Sequence, residues 1–305
     1  VTGPTCPGWT FDEWFVVALA RTIADGEVVF HGFASPCAQV AMHVARRTHA
    51  PTSLLVEGAT YAVDPEPAFI PPTGNDLALH RDAVYRMRFE EFFDAACRGA
   101  VDRMFLSGGQ IDGYGNTNVT AVGPDPARPK IKLGGGGGGC NISASIGALT
   151  VWTTRHRAGR TLVRELDFLT DIGHVTPEGS RSALGYTGGG PQWLVTELGI
   201  FDYDLDGRAR LRGLWPDVTE TDVRDATGFE YRTALDPDLE YGSGGTAPRS
   251  ACSSDRCVSD LLALPSAGEL VALRAVDMLG VRRLEFSPDD LARHFEHPAS
   301  TACAC

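Results

Sequence analysis

Between Thr10 and Gly58 the chain changes its apolar period three times, and this alternation restricts the fold more than any other feature. Phe11, Trp14, Phe15, Ala18 and Leu19 recur at helical spacing across residues 10–23. Asp25-Gly26 ends that helix, residues 27–30 form a short β-rich run, and Gly32 follows. Residues 36–47 return to helical spacing, with Ala38, Val40, Ala41 and Val44 on the apolar side. Pro51 stops them, and residues 53–56 read as a buried strand that ends at Glu57-Gly58. Strand, glycine turn, helix and strand in this order make the unit of a parallel sheet. Such sheets bind ligands beyond the carboxyl ends of their strands, where both Gly32 and Glu57 fall.

The alternation continues downstream. Residues 89–99 read as a helix, 102–106 as a strand, 107–118 as a polar turn region and 130–133 as a short strand. A short helix at 141–148, a strand at 149–153, a run at 162–168 that continues the sheet, a strand at 193–197 and a helix at 217–227 follow. The expected fold class is α/β, an open mostly parallel sheet with helices on both faces. Residues 1–235 are expected to form that domain. Residues 236–305 are expected to be an extension packed on it, with a mobile polar segment at 236–254, a helix at 267–279 and a disordered tail.

With 43% apolar residues, 305 residues can bury a sizeable core. The net charge of −12 repels a phosphate backbone, which argues against nucleic acid as a partner but not against a small anion held locally. No apolar run approaches the roughly 20 residues of a membrane span, and no secretory pattern opens the chain, so a cytoplasmic protein is expected. Eight scattered cysteines suit free thiols better than a disulfide framework. Cys252, Cys257, Cys303 and Cys305 lack the spacing of a zinc site, and no metal is expected.

Three features could carry chemistry. Six consecutive glycines, Gly134 to Gly139, lie between a strand and a helix. Their entropic cost is tolerated where a ligand touches the backbone, as in an anion cradle or oxyanion hole, although a plain flexible loop has the same composition. The run matches the dinucleotide fingerprint only formally, because the acidic residues that should follow, Glu165 and Asp167, come late. Glu57 ends a buried strand beside small residues, where desolvation would make a carboxylate reactive; a solvated strand-end glutamate is the alternative. Gln110, Asp112, Asn116 and Asn118 form a polar cluster that could donate to an acyl oxygen or simply close turns. His174 reads as a structural histidine. No serine-nucleophile elbow and no zinc-protease motif occur.

Several of these segments together resemble the B (beta) subunit of class I coenzyme A transferases, in the glutaconate CoA-transferase-like branch. The resemblance is carried by Gln110-Ile111-Asp112, Gly113-Tyr114-Gly115-Asn116-Thr117-Asn118-Val119-Thr120, Arg128-Pro129-Lys130-Ile131-Lys132-Leu133 with the glycine run, Leu166-Asp167-Phe168-Leu169-Thr170 with Gly173-His174, and Pro216-Asp217-Val218-Thr219 with Thr227-Gly228-Phe229. It implies an active site between an A and a B subunit, in a heterodimer or heterotetramer. It also implies a catalytic role for Glu57 as the nucleophile that attacks the thioester, forms an anhydride and then carries CoA as a glutamyl thioester. Gly136, Gly137 and Gly138 would supply an oxyanion amide and room for CoA, and Gln110 would face the acyl oxygen. CoA is then substrate or carrier, and no separate cofactor is expected. The branch also includes B subunits of hydrolases that open rings of cyclic CoA esters in steroid breakdown, which is the alternative activity. A non-catalytic acyl-CoA-binding protein is the third reading.

Overall fold

The computed structural model describes residues 8–33, 35–235, 257–288 and 291. Cys6, Cys252, Cys303, Cys305, the expected mobile segment and the expected disordered tail lie outside the described residues.

Among the described residues one ten-stranded sheet organises the molecule. Its strands are β1 (Val28–His31), β2 (Leu54–Val56), β3 (Ala62–Val63), β4 (Tyr85–Arg86), β5 (Arg103–Ser107), β6 (Ala148–Thr153), β7 (Pro191–Thr196), β8 (Gly199–Tyr203), β9 (Ala209–Leu214) and β10 (Arg232–Thr233). The order across the sheet is β10-β9-β8-β7-β6-β5-β1-β2-β3-β4. The central strands β2, β1, β5, β6 and β7 are all parallel. Antiparallel additions flank them, β3 and β4 at one edge and β8 and β9 at the other. The sheet is therefore mixed and mostly parallel, and every central strand ends on the same side.

Helices cover both faces. On one side α1 (Phe11–Arg21) and α2 (Pro36–Arg47) pack with α6 (Val258–Leu262) and α7 (Ala267–Val276) around Phe15, Leu19, Val40, Leu55, Trp215, Leu261 and Leu273. On the other, α3 (Phe89–Cys97), α4 (Gly139–Ser145) and α5 (Glu220–Ala226) contribute Phe92, Ile142 and Val223 to a core with Phe30, Met104 and Val151. The alternation along each strand feeds the two cores in turn: Leu55 enters the first and its neighbour Val56 the second.

The segment at 257–288 is fastened to α1 by charge. Asp12 and Glu13 are both 3% exposed, an environment an unpaired carboxylate would not tolerate. Arg282 lies 2.7 Å from Asp12, Arg274 2.7 Å from Glu13, and Arg21 2.7 Å from Glu269.

One expectation fails. Residues 162–168 do not continue the sheet but form bends and irregular backbone, with Leu162 in an isolated bridge to Ile111. Their backbone groups are already committed elsewhere: the Ile111 amide donates to the Thr161 carbonyl, the Val163 amide to Ile111, and the Gly228 amide to Leu162. Leu162 and Val163 are buried, but as an anchor for a connector that lies against the short hairpin of Gln110–Ile111 and Thr117–Asn118.

Candidate active site

A cavity of about 1320 Å³ opens where the central strands end, larger than the ~300–1,000 Å³ of most small-molecule sites. Its wall includes Gly32 after β1, Ser107 and Gly108 at the end of β5, Trp152 to Arg155 at the end of β6, and the whole glycine run Gly134 to Gly139. It therefore occupies the position that open parallel sheets reserve for ligands.

The glycine run crosses the cavity wall between the strand Ile131–Lys132 and α4. Its ends are fixed: the Gly135 amide donates to Val119 and the Gly139 amide to Gly136. Among the described residues, the amides of Gly136, Gly137 and Gly138 donate to no protein acceptor. Three positions favour glycine, for two reasons. Gly135 and Gly137 have φ +90° and +52°, and a Cβ at Gly138 would stand 1.8 Å from the Phe93 ring. The far end of α4 is held by Arg181, whose guanidinium donates to the carbonyls of Ser143 at 2.8 Å and Ala144 at 3.0 Å.

Glu57 follows β2 and is 1% exposed. Its carboxylate accepts from the Gln39 amide at 2.6 Å and lies 2.9 Å from His31 Nε2 and 3.0 Å from His43 Nε2. His31 is oriented by Nδ1, which donates to the Gly32 carbonyl at 2.7 Å. Burial alone would raise the carboxyl pKa. The hydrogen bonds and charge of His31 and His43 outweigh it and hold Glu57 far below the usual carboxylate range. The side chain sits behind the cavity wall rather than on it: Gly32 and Tyr61 line the cavity, and Glu57 does not. Gly58 permits this crowding, since a Cβ there would be 2.3 Å from the His31 carbonyl oxygen.

Gln110 does line the cavity. Its carbonyl accepts from Asn118 at 2.7 Å and from the Asp167 amide at 3.0 Å, and its Nε2 donates to Asp167 at 3.1 Å. Asp112, Asn116 and Asn118 bind backbone. Asp112 accepts from the Tyr114 amide, the Asn116 side chain donates to the Val175 carbonyl, and the Asn118 side chain donates to the Ala121 carbonyl. These three serve the turn. His174 is likewise structural, donating from Nε2 to the Pro191 carbonyl at 2.7 Å.

Sequence reasoning missed several groups. Gln39 and His43 stand four apart on α2, and a polar pair at that spacing on a buried helix was the available signal. Asp171 is 1% exposed and lines the cavity beside the glycine run. Glu285 also lines it, from the segment fastened to α1. Nothing in the sequence separates these two carboxylates from the others. Arg155, Arg160 and Arg164 are exposed on the cavity wall, which also carries the exposed Glu165. Among the described residues no group of His, Cys, Asp and Glu is arranged to hold a metal, and no helix is long and apolar enough to cross a membrane.

Glu285 supports a prediction about stability. Burial pushes its carboxyl up to about 8, against the smaller opposing effects of hydrogen bonds with Cys37 and the Arg155 charge. A raised folded-state value means that the folded protein holds a proton the unfolded chain releases. The associated stability is fully present below the ordinary value of 4.5 and is lost as pH rises toward about 8. Thermal melts from pH 5 to pH 8.5 are expected to show this decline, and Glu285→Gln should flatten it. An unchanged profile in that variant would refute the assignment.

A mostly parallel sheet, a large cavity at its strand ends, and a glycine backbone lining that cavity define a class of α/β protein in which a ligand would meet main-chain amides. Comparison with known proteins narrows the class. Residues 13–226 match the model of the coenzyme A transferase family, and the chain belongs to that family. The B subunit of the 3-oxoadipate CoA-transferase of Pseudomonas knackmussii is 31% identical over 228 residues, 74% of this chain and 85% of that protein. The B subunit of the glutaconate CoA-transferase of Acidaminococcus fermentans is 31% identical over 240 residues, 76% and 87% of the two chains. The cholesterol ring-cleaving hydrolase IpdB subunit of Mycobacterium tuberculosis is 29% identical over 221 residues, 72% and 83%. Among solved structures, the decarboxylase AibA/AibB superposes with a TM-score of 0.72 at 27% identity, covering 91% of this chain and 98% of that one.

Proposed function

We propose that this chain is the B subunit of a heteromeric CoA-transferase, that it moves CoA between carboxylic acids, and that Glu57 is the residue that carries CoA. The observation that carries the reading is a buried carboxylate at the end of a parallel strand, kept ionised by His31, His43 and Gln39, next to a cavity lined by six glycines. An ionised carboxylate is the form that attacks a thioester. Because Glu57 lies behind the wall, the reading requires its side chain to turn past Gly32 and Tyr61 when the A subunit and acyl-CoA complete the site. Remote binding of the CoA moiety would drive that rearrangement. The free amides of Gly136 to Gly138 suit the oxyanion, and the remaining Gln110 amide hydrogen suits the acyl oxygen.

The exposed Arg155, Arg160 and Arg164 suit the phosphates of CoA. The double variant Arg160→Gln/Arg164→Gln is expected to weaken binding of CoA about tenfold or more, with a much smaller effect on pantetheine, which lacks phosphates. Titration calorimetry on the assembled enzyme checks this, and equal losses for both ligands would remove the arginines from the role.

Hydrolysis of a CoA ester is the second reading. It is favoured by one observation, that a carboxylate other than Glu57, Asp171, stands on the cavity wall itself. The two readings separate on product analysis with an acceptor acid supplied: a transferase forms the new acyl-CoA of that acid, and a hydrolase releases only free CoA.

A further inference from the structure

Asp171 differs from the other buried carboxylates in its partners. Asp12, Glu13 and Glu269 each face an arginine. Asp171 faces none among the described residues. One oxygen, Oδ2, accepts from the Thr117 hydroxyl at 2.7 Å. The other, Oδ1, is buried and has no hydrogen-bond partner among the described residues. Buried carboxylate oxygens are rarely left without one unless a ligand or water uses them. Oδ1 stands beside the glycine run: a Cβ built on Gly139 would be 3.0 Å from it. The residue is therefore a carboxylate fixed at one oxygen and unpartnered, though buried, at the other, part of the cavity wall and against the glycine run, so a water must enter beside Gly139 to reach it.

The charged groups around it are accounted for. Arg181 uses its guanidinium on the carbonyls of Ile172, Gly173, Ser143 and Ala144. Asp167 accepts from Gln110 and from the Gly123 amide. His174 binds the Pro191 carbonyl, and Glu165 stands on the same cavity wall. None of them neutralises Asp171. Burial raises its carboxyl to about 6, against the opposing bond from Thr117, so it exchanges a proton close to neutral pH.

We infer that Asp171 is a second catalytic carboxylate, acting as general base on a water that attacks the acyl-CoA carbonyl held at the glycine run, so that the assembled enzyme hydrolyses its thioester when no acceptor acid is present. Oδ1 takes a proton from water as the water oxygen bonds to the carbonyl carbon. The carbon–sulfur bond then breaks, and the departing thiolate takes the proton from Asp171. Water and thioester become free acid and CoA, and the carboxylate is restored. A CoA exchange between two acids through Glu57 requires no such proton transfer, so Asp171 has no task in it. The inference rests on the reading that the cavity holds an acyl-CoA.

The test uses the assembled A/B complex and acyl-CoA thioesters of two to six carbons, with and without a terminal carboxylate. Free thiol is measured without acceptor acid from pH 4.5 to pH 8.5. The wild-type rate should rise through pH 6 and then level. Asp171→Asn should lower it at least about 30-fold and abolish the rise. Thr117→Val keeps the carboxylate but removes the bond that lowers its affinity for a proton, so the midpoint of the rise should move to higher pH, a shift that a structural role would not produce. Absence of acceptor-free hydrolysis in an enzyme that binds CoA, or a midpoint unmoved in Thr117→Val, overturns the inference while leaving the acyl-CoA reading in place. Failure of the complex to bind CoA at all overturns both.

Discussion

Glu57→Gln, assembled with its A subunit, is expected to lose CoA exchange between acids by at least about 10³-fold. The substitution preserves volume and removes the nucleophile. The amide cannot form an anhydride with the acyl group and so cannot carry CoA. Binding of acyl-CoA should survive, because the cavity is lined by Gly134 to Gly139, Trp152 and Arg155 and not by Glu57 itself. Trapping gives an independent readout. Borohydride added during turnover should reduce a glutamyl thioester at position 57, visible as a mass change in the corresponding peptide. Exchange persisting in the Gln variant, or an unmodified peptide in an active enzyme, would refute the nucleophile role.

The second large effect is on stability. His43→Leu is expected to destabilise the fold by about 3–5 kcal/mol, because it leaves a fully buried carboxylate with one oxygen unpaired. For a chain of this size the melting temperature should fall on the order of 10 °C. Glu57→Gln in the same background should recover part of the loss, since a neutral amide costs less to bury than a charge. A double-mutant cycle should give a coupling of about 1–3 kcal/mol between the two positions. The depressed folded-state value at Glu57 gives the pH sign: its stabilisation is present above the ordinary carboxyl value of 4.5 and is lost as pH falls below it. Wild type should therefore lose stability in acid more steeply than Glu57→Gln. Additive melting temperatures in the cycle would mean that His43 is packing and not a charge partner.

The two predictions pull the same network in different directions. The hydrogen bonds that keep Glu57 ionised also hold it behind the cavity wall. A carboxylate bonded to three donors is a stabilised one, and its reactivity must come from exchanging those donors for the thioester. His31, placed 3.1 Å from the Gly58 amide as well as against Glu57, sits where a movement of the β1 and β2 ends would be transmitted to the carboxylate.

Much of this was legible in the residues. Helical and alternating periods at 10–58 prescribe a parallel α/β unit, because each element must bury one face. The glycine run announced a main-chain surface, since no side chain could line it. Glu57 was picked out by its place after three apolar residues. The run at 162–168 misled, because two adjacent apolar residues anchor a loop as readily as they build a strand. The partners of Glu57 came from α2 and β1, the cavity-wall position of Asp171 from a loop beside α4, and Glu285 from a segment fastened by Arg282 and Arg274 to the first helix. Local sequence thus determined the elements and their order, for the physical reason that period and backbone freedom are properties of neighbours along the chain. Tertiary structure alone decided which carboxylates are dry, which are paired and which face the cavity, because desolvation and charge act through space between residues that the sequence holds far apart.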